Sequence, residues 1–115
     1  MNFDVKVLRR AQREVSQIVR WLHERSPRGA DAWDQRWLHA LKRLKSNADT
    51  CGLAPEDERS LETVRHILFK TRRGNMYRAL FIVRGKLAYV FSVRGPGQEL
   101  LRAEDIEIPD DLEET

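Results

Sequence analysis

Residues 63–94 read TVRHILFKTRRGNMYRALFIVRGKLAYVFSVR. Three runs rich in Val, Ile, Leu, Phe and Tyr, at 63–72, 76–84 and 86–94, are separated by Arg73-Gly74-Asn75 and by a tight turn at Arg84-Gly85. Short β-prone runs broken by glycine-bearing turns make successive hairpins, so this stretch predicts a three-stranded antiparallel meander. Gly95-Pro96-Gly97 stops the last strand.

Upstream, Phe3, Val5 and Val7 alternate with Asp4 and Lys6, the period of a half-buried strand. The period then changes. Ala11, Val15, Ile18 and Leu22 fall at three- and four-residue spacing and lay one apolar stripe along a helix ending near Arg25. Ser26-Pro27 starts a second helix, because serine accepts from the orphan amides of a first turn and proline at the first position forfeits no bond. Its stripe is Ala30, Trp33, Trp37, Leu41, Leu44 and Ala48. Two striped helices on so short a connection fold back as a hairpin. Residues 49–60 read as a loop, with one helical turn at Pro55. The predicted fold is α+β: an N-terminal strand, a helical hairpin and the meander, with both helices on one sheet face and the other face open.

The 115 residues suffice for one domain, set at 1–103, with 104–115 as an acidic C-terminal tail. Ile106 and Ile108, alternating with acids there, are expected to pack loosely or add a short edge strand. No apolar run approaches a membrane span, and the N-terminus lacks the layout of a signal peptide, which predicts a cytoplasmic protein. One cysteine, Cys51, and three scattered histidines give neither a disulfide nor a zinc spacing, so no metal or cofactor is expected.

Charge is unevenly distributed. All 21 Lys and Arg lie at or before Arg102, against eleven of the 18 acids, so residues 1–103 carry +10. A body that basic suits a polyanionic partner.

Alternation puts Tyr77, Ala79, Phe81 and Val83 on one face of the central strand and Met76, Arg78, Leu80 and Ile82 on the other. In the last strand Leu87, Tyr89, Phe91 and Val93 oppose Ala88, Val90, Ser92 and Arg94. If the larger, more aromatic sets face the helices, Arg78 and Arg94 share the open face. Lys70, Arg72 and Arg73 at the first hairpin can join them, with His66 on the face of Lys70. Guanidinium forks bind phosphate oxygens bidentately, so this cluster is a candidate nucleic-acid or target-binding site. The competing reading is a sheet whose exposed charges merely guard against edge pairing.

The segments Tyr77-Arg78-Ala79-Leu80-Phe81-Ile82-Val83 and Val90-Phe91-Ser92-Val93-Arg94-Gly95, in this element order, resemble the RelE/ParE superfamily of toxins, often labelled plasmid-stabilisation proteins. The resemblance covers nearly the whole chain, from about Phe3 to Asp105. It implies a growth-arresting toxin of a type II toxin–antitoxin module, neutralised by a cognate antitoxin in a hetero-oligomer. Its target would be the ribosome and its mRNA, which the RelE type cleaves, or DNA gyrase, which the ParE type inhibits. Arg78 matches the arginine that contacts the scissile phosphate in the ribonucleases, with Lys70 and Arg72 approximating their basic strand residues; Arg94 and His66 complete the candidate catalytic set. The family's further arginine and terminal tyrosine or histidine are not matched: after Tyr89 the chain has neither tyrosine nor histidine. Cleavage through a ribose 2′-hydroxyl needs a proton acceptor and a donor besides charge stabilisation, and only the last is plainly supplied. The helix lengths and the Trp33, Trp37 pair look more like the ParE type, although tryptophans at helical spacing are also ordinary core. A non-toxic nucleic-acid-binding regulator on the same fold is the alternative.

Overall fold

A computed structural model describes residues 2–106 and 108. Strand β1 (Asp4–Val7) leads into helix α1 (Arg9–Arg25) and helix α2 (Pro27–Asn47); strands β2 (Arg65–Phe69), β3 (Tyr77–Arg84) and β4 (Leu87–Arg94) follow. The intervening segments hold short 3-10 turns at Ala48–Thr50, Pro55–Arg59 and, after β4, Ala103–Asp105. The fold is α+β with a four-stranded mixed sheet in the order β1-β4-β3-β2, where β1 runs parallel to β4 and the other neighbours are antiparallel. Among the described residues no helix is long and apolar enough to cross a membrane.

One residue makes the corner between the helices. The Ser26 backbone N–H donates to the Leu22 carbonyl at 2.8 Å and closes α1, while its Oγ accepts from the Gly29 N–H at 3.0 Å and opens α2. Pro27 then stands at the first position of α2, where its missing N–H is no loss. The β3–β4 turn is equally economical: Arg84 pairs with Leu87, and Gly85 adopts φ 61°, the left-handed conformation that two-residue hairpin loops demand at their first position.

The helix-covered face packs Trp33, Trp37 and Leu44 of α2 and Ala11 of α1 over Ile67, Phe69, Phe81 and Val90. Alanines at 79 and 88 keep that part of the sheet low beneath bulky helix side chains. Trp33 sits edge-on to Tyr77 at 5.3 Å between centroids and tilted over Phe69 at 5.4 Å, geometries that aromatic quadrupoles favour.

The opposite face is not open, contrary to expectation. Leu80, Ile82, Tyr89 and Phe91 form a second buried cluster there, covered by Ala54 and Val64 of the β2-approach loop and by Leu101 and Ile106 of the C-terminal segment. The physical reason is that β3 is apolar on both sides, and such a strand must be covered twice. Ile106 is thus packed core rather than tail, and the ordered body extends past residue 103. The rest of the acidic tail, residues 107 and 109–115, lies outside the described residues.

The face assignment of β4 is also corrected. Ala88 and Val90, not Tyr89 and Phe91, point to the helices. Leu80 pairs with Ser92 and Phe81 with Val90, so Phe91 is an extra residue in β4, a bulge that turns Val93 back to the helix side.

Candidate functional site

Arg78 and Arg94 are direct cross-strand partners at the ends of β3 and β4. Two like charges placed opposite each other repel, and each here has its own carboxylate.

Arg78 meets Glu56. The 3-10 turn at Pro55–Arg59 carries Glu56 inward over the sheet, held there because the Asp57 carboxylate accepts from Val64 N–H and Arg59 donates to the Leu101 carbonyl. Arg78 Nη1 donates to Glu56 Oε1 and Nη2 to Oε2, both at 2.9 Å, and the Leu101 N–H donates to Oε2 at 3.4 Å. Glu56 has no solvent exposure. Burial, the largest single influence, would raise its pKa, but the hydrogen bonds and charge of Arg78 together with backbone N–H groups outweigh it and hold the carboxyl below its ordinary value. His66 Nδ1 lies 3.3 Å from Arg78 Nη1; burial first, then the guanidinium charge, lowers the imidazole pKa against the opposing pull of Glu56. His66 is therefore neutral at pH 7.

Arg94 meets α1. Its Nη1 lies 3.7 Å from Glu14 Oε2 and its Nη2 donates to the Glu99 carbonyl at 2.9 Å. Glu14 also accepts from Ser92 Oγ at 2.9 Å and from the Val93 N–H at 3.0 Å. β1 pairs with β4 only as far as Val90, so Glu14 supplies from a helix the acceptor that a neighbouring strand would have offered.

The expected cluster is thus partly assembled. Arg78 and His66 come together beside Glu56, whereas Arg94, although opposite Arg78 in the ladder, turns its side chain to Glu14 of α1, so the two arginines do not share an open cationic face. Lys70, Arg72 and Arg73 are exposed around the β2–β3 turn, outside the ladder, with no hydrogen bond or ion pair to a described residue. Reading the sequence missed Glu56 and Glu14. Glu56 belongs to the run Glu56-Asp57-Glu58, which looks like a solvated loop. The only hint was indirect: an arginine in a strand apolar on both sides needs a carboxylate.

A second feature lies beside α1. A cleft of about 640 Å³ opens between α1 and the ends of β3 and β4, lined by Gln17, Ile18, Trp21, Tyr77, Val93 and Gln98 among others. Gly95 lets Tyr77 lie against the backbone there, since a β-carbon at 95 would stand 3.0 Å from Tyr77 Cε2. Burial raises the Tyr77 pKa, so its phenol stays protonated. Among the described residues no group of His, Cys, Asp or Glu gathers to hold a metal ion.

No protein-family model matches the chain, and no curated protein matches it.

Proposed function

We propose that this chain is the growth-arresting toxin of a bacterial type II toxin–antitoxin module of RelE/ParE type, and that it acts by occupying its target, the ribosome or DNA gyrase, without cutting RNA. One observation carries the reading: the two segments that resemble the family, 77–83 and 90–95, are adjacent strands in the middle of the sheet, with Arg78 opposite Arg94. The helical hairpin packed on one side of that sheet supports it further.

Occupancy is favoured over cleavage by how the arginines are used. A phosphate approaching Arg78 must displace a carboxylate that already takes both arms of the fork. Of the two proton-transfer groups at the fork, Glu56 is tied up by Arg78 and His66 has Arg78 against its Nδ1. Pulse labelling of protein and DNA synthesis after induction in cells tests the proposal and separates the targets. An early stop in protein synthesis points to the ribosome, an early stop in DNA synthesis to gyrase, and unchanged synthesis of both contradicts it. The second reading, a non-toxic nucleic-acid-binding regulator, is favoured by the +10 body.

A further inference from the structure

The cations of this protein fall into two populations. Arg78, Arg84 and Arg94 on the sheet are each paired with a glutamate. Arg9, Arg13 and Arg20 on α1 are exposed and have no hydrogen bond or ion pair to a described residue. At 100° per residue, positions 9, 13 and 20 fall within about 40° of the helix circumference and span about 16 Å of its length. They form one row. Gln12, Ser16 and Gln17 lie among them, uncharged and able to donate. α1 has no acid in its first turn, and Glu24, one turn beyond Arg20, forms no ion pair with it. Arg9 and Arg13, four residues apart, repel as like charges at that spacing do, and no described carboxylate forms an ion pair with either.

The row borders an aromatic surface. Gln17 lines both the basic groove holding Arg9, Arg13 and Arg20 and the cleft that contains Trp21 and Tyr77. Trp21 is 51% exposed, unusual for tryptophan. One face of its indole is covered by Arg25: the guanidinium carbon stands 3.6 Å from the ring centroid, and Arg25 Nη1 donates to the Trp21 carbonyl at 2.8 Å. The acid in the cleft, Glu14, is engaged by Arg94, Ser92 and Val93.

We propose that the outer face of α1 and the adjoining cleft form a binding surface for single-stranded nucleic acid, with phosphates along Arg9, Arg13 and Arg20 and a base stacked at Trp21. A basic track beside an oriented aromatic ring is what such a ligand requires, because unpaired bases expose π-faces that a duplex keeps stacked. The row is long enough for only a few nucleotides. The inference does not rest on the toxin reading, since it uses other residues and makes no demand on growth arrest; it gives a site and a ligand class to the nucleic-acid-binding reading.

The test is fluorescence anisotropy of the full chain with labelled single-stranded oligo(U) and oligo(dT), and with a duplex of the same length, at several salt concentrations. Saturable binding that prefers the single strands is expected, with log K falling against log salt at a slope of roughly −0.7 per phosphate contacted. Arg13→Glu/Arg20→Glu should weaken it about tenfold or more and flatten that slope. Trp21→Ala should weaken it by about fivefold or more. Lys42→Glu/Arg43→Glu, on the exposed side of α2, makes the same change in net charge and should leave affinity within about twofold, as expected if the row, not total charge, is read. All these side chains are exposed, and circular dichroism verifies folding of each variant. The proposal is overturned by absence of binding at low salt, by preference for duplex, by indifference to the Arg13, Arg20 and Trp21 changes, or by an equal loss in the α2 variant.

Discussion

Both oxygens of the Glu56 carboxylate accept from the guanidinium of Arg78, at 2.9 Å each, across 22 residues of chain. The pair pins the 55–59 turn onto the second sheet face and leaves Arg78 with only 18% of its side chain exposed. Deleting one partner strands the other. Glu56→Ala is expected to destabilise the fold by about 3 kcal/mol, the cost of leaving a largely buried charge unpaired. Glu56→Gln combined with Arg78→Gln should recover part of that loss. Urea denaturation of Glu56→Gln, Arg78→Gln and the double gives the coupling, and strict additivity would show that the pair does not hold the turn.

Acid should weaken the protein in two stages. The folded pKa of His66 is depressed from 6.5 and those of Glu56 and Glu62 from 4.5. In every case the unfolded chain binds the proton more readily, so the associated stability is present above the ordinary pKa and is lost as pH falls through the folded value. Stability measured by urea between pH 8 and pH 3 should begin to decline below about 6.5 and steepen below about 4.5. His66→Asn should abolish the first stage alone; a flat profile from pH 8 to 5 in the parent would disprove the environment assigned to His66.

The helices were legible because their information is local: one stripe ending in Trp33, Trp37 and Leu44, and Ser26-Pro27 as punctuation. The second layer was not. Alternation separates Leu80 and Ile82 from Ala79 and Phe81, but says nothing of which segment covers them, and the cover comes from loop residues such as Ala54 and Leu101 with no periodicity. The bulge at Phe91 inverts one end of β4 without a glycine to announce it. Glu56 was hidden for a third reason: a buried carboxylate and a solvated one are the same letter, and only the distant Arg78 distinguishes them.

If an antitoxin segment binds this basic body, its capture should be electrostatically steered. Stopped-flow mixing with an antitoxin candidate chosen because it rescues growth, at rising salt, should show the association rate falling by about tenfold or more while dissociation changes less. An association rate indifferent to salt would remove charge from the recognition.

The corner at Ser26 offers a local check on the hairpin. Ser26→Ala removes the acceptor for the Gly29 N–H and should cost about 1 kcal/mol. Ser26→Asp should restore most of it, as read by thermal melting of both variants, whereas equal melting of alanine and parent would mean that the cap contributes nothing.

The most direct test of the account is to induce the chain in growing cells and map mRNA 5′ ends as growth stops. Arrest with the mRNA ends unchanged is the predicted result, because Glu56 and the Arg78 fork engage each other and His66 has Arg78 against its Nδ1. Continued growth, or new ends phased to the ribosomal A site that Arg78→Ala abolishes, would contradict it.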